Sequence, residues 1–179
     1  MQPDIQRGRR FRGALITLFA CAWLGSGALV ADDWPQFRGP NASGVAGGNY
    51  PLPVEFSQTD KVKWSAKLGD GIASPVIVGG RAYVTGMVGE QKLGVFCLDA
   101  GSGRQFWKRD FDTGKLPRIT PPNSHASSTP AADGNRVYVY FSTLGLLALD
   151  AADGQTVWQK PIPLPAYLMD WGAGVSPIV

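Results

Sequence analysis

The stretches CLDAGSGRQFW (Cys97–Trp107) and ALDAADGQTVW (Ala148–Trp158) are two copies of one eleven-residue phrase, 51 positions apart. An aspartate, a glycine and a tryptophan stand at the same three places in both copies. The matched residues are Asp99 and Asp150, Gly103 and Gly154, and Trp107 and Trp158. Three large or special residues at fixed offsets indicate an internal repeat, which must be recognised before any strand is assigned.

The repeat extends upstream of this phrase. ASPVIVGGRAYVTG (Ala73–Gly86) aligns with STPAADGNRVYVYF (Ser128–Phe141), and VSPIV (Val175–Val179) begins a third copy. KVKWSAKL (Lys61–Leu68) places Trp64 in the tryptophan position of a preceding unit. We therefore predict a strand over 61–68, a blade over 71–111, a second blade over 125–162 and the start of a third over 172–179.

Each full unit contains four short runs of β-branched and aromatic residues, separated by Asp-Gly or Gly-Gly turns. Four strands in roughly 45 to 50 residues are typical of a β-propeller blade. The predicted fold class is all-β, a β-propeller of four-stranded antiparallel blades with about two and a half blades present. Because propellers close with about four to eight blades, we expect an incomplete ring and an N-terminal fragment of a longer protein.

Each residue that recurs in the repeated phrase has a physical role. Asp99 is placed to cap the backbone of the turn that ends the third strand, and Gly103 can supply the positive φ of a tight turn. Trp107 would then project from the fourth strand against the neighbouring blade. Burying a tryptophan removes about 150–250 Å² from water, which is roughly 4–6 kcal/mol as an upper bound.

Residues 1–31 resemble a secretory signal peptide. A basic run (Arg7–Arg12) precedes an apolar stretch and small residues suited to cleavage near Ser26–Ala31. An uncleaved membrane anchor and a lipoprotein box ending at Cys21 are the alternatives. We predict an exported protein, secreted or periplasmic, that contacts a membrane only through this segment, with a lead-in over 32–60 before the repeats.

The charge of the chain after residue 31 argues against nucleic-acid binding, and its cysteine content says little about function. Four arginines and one aspartate lie in residues 1–31, so the rest of the chain holds 13 basic and 13 acidic residues. A neutral chain gives no support for nucleic-acid binding, which needs a clustered positive face. Cys97 is the one cysteine beyond the signal, and we interpret it as a small buried strand residue.

The pattern A-x-D-x-x-T-G-x-x-x-W resembles the docking motif of pyrroloquinoline-quinone (PQQ) type propeller repeats. Cys97 and Ala148 occupy the alanine position, and Ser102 and Asp153 occupy the threonine position. The lead-in DWPQFRGPNASGV (Asp32–Val45) is similar to the start of exported bacterial PQQ-like repeat proteins. The resemblance implies a propeller, whereas its docking residues are structural and do not define an activity.

Candidate site residues lie in two loops that precede innermost strands. DTGKLPRITPPNSHAS (Asp112–Ser127) carries Asn123 and His125, and PIPLPAYLMDWGAG (Pro161–Gly174) carries Asp170 and Trp171. His125 is either a base or ligand, or a histidine bonded to backbone. Asn123 and Asp170 offer oxygen ligands for Ca²⁺, and Trp171 offers a ring that stacks on a ligand or packs at the rim.

Two functions from different classes remain open. The first is a non-catalytic binding or scaffold module that presents its rim and channel to a protein or polymer partner. The second is a quinoprotein dehydrogenase, to which the resemblance would assign PQQ and Ca²⁺ in the channel. An adjacent Cys-Cys pair is a hallmark of that enzyme group, and this sequence has none. We favour the scaffold, with no catalytic residue or cofactor assigned, because fold alone does not specify activity.

Overall fold

The described part of the chain, in a computed structural model, covers residues 32–48 and 50–179, so the predicted signal peptide lies outside it. Two four-stranded antiparallel sheets form the structure. The first sheet, here called blade 1, has the strand order β1-β2-β3-β4. Its strands are β1 (Val76–Val78), β2 (Arg81–Gly89), β3 (Lys92–Asp99) and β4 (Gln105–Asp112).

The second sheet, blade 2, repeats this arrangement. Its strands follow one another in the order β5-β6-β7-β8. They are β5 (Ala131–Ala132), β6 (Arg136–Phe141), β7 (Gly145–Asp150) and β8 (Thr156–Lys160). The predicted all-β fold with four-stranded antiparallel blades is therefore confirmed.

The hydrophobic core lies between the two blades, because neither sheet can bury an apolar face alone. Tyr83 and Trp107 of blade 1 belong to one cluster with Val137, Phe141 and other blade 2 side chains. The Tyr83 and Trp107 ring centroids are 5.9 Å apart. Cys97 is fully buried in this core, which agrees with its interpretation as a strand residue.

Two segments predicted as strands of further blades have no strand partner in the described structure. Residues 61–68 and 172–179 carry no strand assignment. A strand is defined by pairing, so their assignment to neighbouring blades stays a prediction. Two single turns of 3-10 helix, Pro40–Ala42 and Leu168–Asp170, are the helical elements of residues 32–48 and 50–179. Neither comes near the length of a membrane span.

Candidate functional site

Two tryptophans at the same position of the repeat, Trp64 and Trp107, bind the turn of the following blade. Trp107 Nε1 donates a hydrogen bond to the Ala151 carbonyl at 3.1 Å, and Trp64 Nε1 donates to the Ala100 carbonyl at 3.0 Å. The indole of Trp107 also covers Gly154, where an added Cβ would lie 2.6 Å from the ring. The tryptophan position of the repeat thus joins consecutive units through the same contact twice.

The aspartates of the repeated phrase accept hydrogen bonds within their own turns. The backbone N–H and hydroxyl of Ser102 both donate to Asp99 Oδ1 at 2.7 Å. These bonds hold the pKa of Asp99 below its ordinary value. The Ala152 N–H donates to Asp150 Oδ1 in the same way. Both carboxylates therefore accept hydrogen bonds from the backbone of their own turns.

The two loops that hold the candidate site residues meet in the structure. The Thr120 N–H donates to the Asp170 carbonyl at 2.8 Å, and its hydroxyl donates to the Met169 carbonyl at 3.3 Å. Arg118 Nε lies 3.8 Å from Asp170 Oδ2. The sequence suggested that these loops converge on one rim, and residues 118–120 and 169–170 do come together.

His125 and Asn123 lie farther along the first of these two loops. His125 is half-buried, and its Nδ1 is buried with no hydrogen-bond partner among the described residues. Burial lowers the pKa of His125, and a hydrogen bond with the Pro117 backbone opposes that shift. The Asn123 N–H donates to the Thr120 carbonyl, which closes the turn around Pro121-Pro122.

An apolar tip projects from the second loop. Leu168, Met169 and Trp171 are 73%, 70% and 56% exposed. Met169 and Asp170 have positive φ angles of 51° and 58°, an uncommon conformation for residues with side chains. The Trp171 N–H donates to the Leu168 carbonyl at 3.0 Å and closes the turn. We call Leu168–Trp171 the rim tip.

One of the two groups suggested as an oxygen ligand for Ca²⁺, the Asp170 carboxylate, lies beside a guanidinium. Ca²⁺ takes six to eight oxygen ligands, whereas the Asp170 carboxylate faces the Arg118 guanidinium. Within residues 32–48 and 50–179, no three histidine, cysteine or acidic side chains group in a way that could hold a metal ion.

A second group of contacts runs along the innermost strands, and sequence reasoning missed it. The Ser74 N–H donates to Thr129 Oγ1 at 3.1 Å, and the Thr129 N–H donates to Ser176 Oγ at 3.0 Å. All three residues directly precede a proline, and Pro75 and Pro130 are followed at once by β1 and β5. The Ser-Pro and Thr-Pro dipeptides were a visible signal, since their hydroxyls recur at one repeat position.

The comparisons with known proteins agree with the repeat. The model of the family described as outer membrane protein assembly factor BamB matches residues 45–172. Outer membrane protein assembly factor BamB of Yersinia pestis is 28% identical over 119 residues, which is 63% of this chain and 29% of that protein. This chain thus spans less than a third of the length of that curated relative.

Solved propeller structures show partial similarity. BamB from Moraxella catarrhalis aligns with 55% of this chain and 26% of its own, at 22% identity and a TM-score of 0.39. Quinohemoprotein alcohol dehydrogenase from Comamonas testosteroni aligns with 72% of this chain and 19% of its own, at 20% identity and a TM-score of 0.40. Similarity at this level does not distinguish a scaffold from a dehydrogenase.

Proposed function

This chain belongs to the family of PQQ-like repeat proteins described as outer membrane protein assembly factor BamB, and from that premise we propose that it is a non-catalytic binding or scaffold module. In this proposal the repeats build a rigid propeller, and the rim presents side chains to a protein partner. Further blades of the same repeat complete the ring in the whole protein.

The exposed rim tip is the observation that carries this proposal. Leu168, Met169 and Trp171 place three large apolar side chains at the surface. Tryptophan is enriched among the residues that dominate protein–protein binding, and methionine is enriched at interfaces. Thr120 holds the backbone of the tip through two hydrogen bonds. A braced apolar tip loses little conformational entropy on binding, which favours recognition of another protein.

The chemistry-bearing residues of the repeat support a structural role. Asp99 and Asp150 accept hydrogen bonds from their own turns. Trp107 is 8% exposed and packs between the blades. Cys97 is buried, and burial raises the pKa of its thiol, so the reactive thiolate is disfavoured. The repeated residues therefore serve packing, which leaves the loops as the variable binding surface.

The proposed place of action is outside the cytoplasm, in the periplasm or as a secreted protein. The basic and apolar pattern of residues 1–31 supports export. The Yersinia pestis relative is named for outer membrane protein assembly, which favours a protein partner in the bacterial envelope. The equal numbers of basic and acidic residues after residue 31 favour a partner that is not nucleic acid.

Affinity capture with rim variants of the whole protein tests this function. We expect Trp171→Ala and Leu168→Ala to reduce recovery of the envelope partner at least tenfold, because each removes an exposed apolar contact. Phe56→Ala is the matched control, since Phe56 is 74% exposed in the lead-in and should leave recovery unchanged. Undiminished capture by the rim variants, or dye-linked alcohol oxidation after loading with PQQ and Ca²⁺, would overturn the proposal.

A further inference from the structure

The lead-in segment Asp33–Gln36, here called the strap, crosses the inner edges of consecutive repeat units. The Trp34 N–H donates to the Ile77 carbonyl at 2.6 Å, and the Ile77 N–H donates back to the Trp34 carbonyl at 2.9 Å. The next strap residue, Pro35, accepts a hydrogen bond from the Ala132 N–H at 2.8 Å. Three bonds therefore tie two neighbouring strap residues to two different blades.

The third strap contact reaches the predicted third blade. The Val179 N–H donates to Gln36 Oε1 at 2.9 Å. Gln36 is 5% exposed, so its amide is held in the interior. Consecutive strap residues thus bind blade 1, blade 2 and the predicted third blade in order.

The residues that bind the strap occupy equivalent positions in successive repeat units. The residues bonded to the strap each lie two places after the proline of a Ser-Pro or Thr-Pro dipeptide. The bonded residues and their prolines are Ile77 and Pro75, Ala132 and Pro130, and Val179 and Pro177. β1 and β5 each pair with one strand of their own sheet, so their other edge would expose N–H and C=O groups to the channel. Unpaired edges of this kind accept extended chains.

The first residue of the strap, Asp33, lies at the opposite end of β1 from the rim loops. The Gly79 N–H, in the turn that follows β1, donates to Asp33 Oδ1 at 2.8 Å. The rim loops instead lead into the other end of the inner strands, where the Ser74–Thr129–Ser176 hydrogen bonds lie. The two ends of the inner strands are therefore held by different groups.

We propose that the inner edges of blades 1 and 2, together with the Val179 backbone, form a binding site for an extended peptide and that the strap is its resident occupant. The backbone groups that strand addition requires are already bonded to residues 34–36. A partner is therefore recognised by side chains at the rim and not by strand addition inside the channel. The statement about the partner rests on the proposed scaffold function. The peptide site and the strap as its occupant do not depend on that function.

Hydrogen–deuterium exchange on the whole protein tests the strap. We expect slow exchange at Ile77, Ala132 and Val179, and Gln36→Ala should speed exchange at Val179 by about two- to tenfold, the effect of one net hydrogen bond. Gln58→Ala is the control, because Gln58 is an exposed glutamine of the same lead-in. Loop-like exchange at all three amides, or no change at Val179 in Gln36→Ala, would overturn the proposal.

A peptide-rescue experiment tests the site itself. Residues 32–37 of the whole protein are replaced by a Gly-Ser linker of equal length, and the synthetic peptide DDWPQF, which copies those residues, is added. We expect the peptide to bind this variant and restore slow exchange at Ile77 and Ala132, but not to bind the unaltered protein. A folded variant that ignores the peptide would contradict a peptide site, whatever the partner-capture experiment gives.

Discussion

At the residue scale, one carbonyl organises the contact between the blades. The Ala151 carbonyl accepts hydrogen bonds from Trp107 Nε1 at 3.1 Å, from Arg81 at 3.0 Å and from the Tyr83 hydroxyl at 3.4 Å. All three donors belong to blade 1, whereas Ala151 lies in the turn before β8 of blade 2. Their convergence fixes where the second blade sits against the first.

The Tyr83 hydroxyl predicts an alkaline limit to stability. Burial first, and then the neighbouring Cys97, raises the pKa of Tyr83 to about 12, above its ordinary value of 10.0. A raised pKa in the folded state gives stability that is present below pH 10 and lost as the pH rises through about 12. We expect ultraviolet titration to show Tyr83 as the last of the five tyrosines to ionise.

Tyr83→Phe is the control for this titration. The variant should lack the late tyrosine and should lose less stability between about pH 10 and 12, since it has no phenol to ionise. If the late phase persists in Tyr83→Phe, the assignment is wrong.

The residue scale also shows what sequence can and cannot predict. Asp99 and Gly103 could be given their roles from the repeat, because capping and positive φ are local properties of a turn. The target of Trp107 could not be named, since the Ala151 carbonyl is a backbone group that carries no sequence signal. The same holds for Pro35 of the strap, because the Ala132 N–H that it binds is a backbone group and the strap lies outside the repeat.

At the element scale, the β3–β4 and β7–β8 connections are the same structure built twice. In blade 1 the strand register shifts between Cys97 and Leu98, and in blade 2 it shifts between Ala148 and Leu149. The turn glycines, Gly103 and Gly154, have φ angles of 73° and 75°. The repeated phrase therefore encodes a bulge, a tight turn and a docking surface together.

Substitution of the turn glycine tests this element. Gly154→Ala should destabilise the protein by more than about 2 kcal/mol, because left-handed strain of about 1–2 kcal/mol is joined by a Cβ placed 2.6 Å from the Trp107 ring. The measurement is the free energy of unfolding in denaturant.

Gly114→Ala is the matched control for the backbone strain alone. Gly114 also has a positive φ, of 64°, but an added Cβ would meet nothing within 4 Å. Its cost should stay near the strain of about 1–2 kcal/mol. Equal costs at Gly114 and Gly154 would contradict the docking of Trp107 on the glycine.

At the scale of the whole molecule, each docking tryptophan contacts the turn of the unit that follows it in the chain. Trp64 binds the turn of blade 1, and Trp107 binds the turn of blade 2. Trp158 is the next in this series, and it is 36% exposed where Trp107 is 8% exposed. Its ring contacts Tyr138 of its own sheet at a centroid distance of 6.2 Å. In the proposed ring, the turn of the following blade covers Trp158.

The sequence predicted more of the fold than of the site. The length of the repeat, the number of strands in each blade and the contact between blades follow from residues that recur, such as Trp107 and Trp158. The rim depends on loops that do not repeat, so Asp170 could be proposed as a ligand before the structure placed Arg118 beside it. The strap, at Gln36, lies outside the repeat and could be located only by its contacts.

The most direct test compares Trp107→Ala with Trp158→Ala in the whole protein, through the free energy of unfolding. Removing a buried tryptophan costs about 3–5 kcal/mol, and Trp107→Ala should fall in this range. If a further blade docks on Trp158 as blade 2 docks on Trp107, then Trp158→Ala will cost about the same. A cost near zero at Trp158, beside a full cost at Trp107, would contradict the propeller ring on which the proposed scaffold depends.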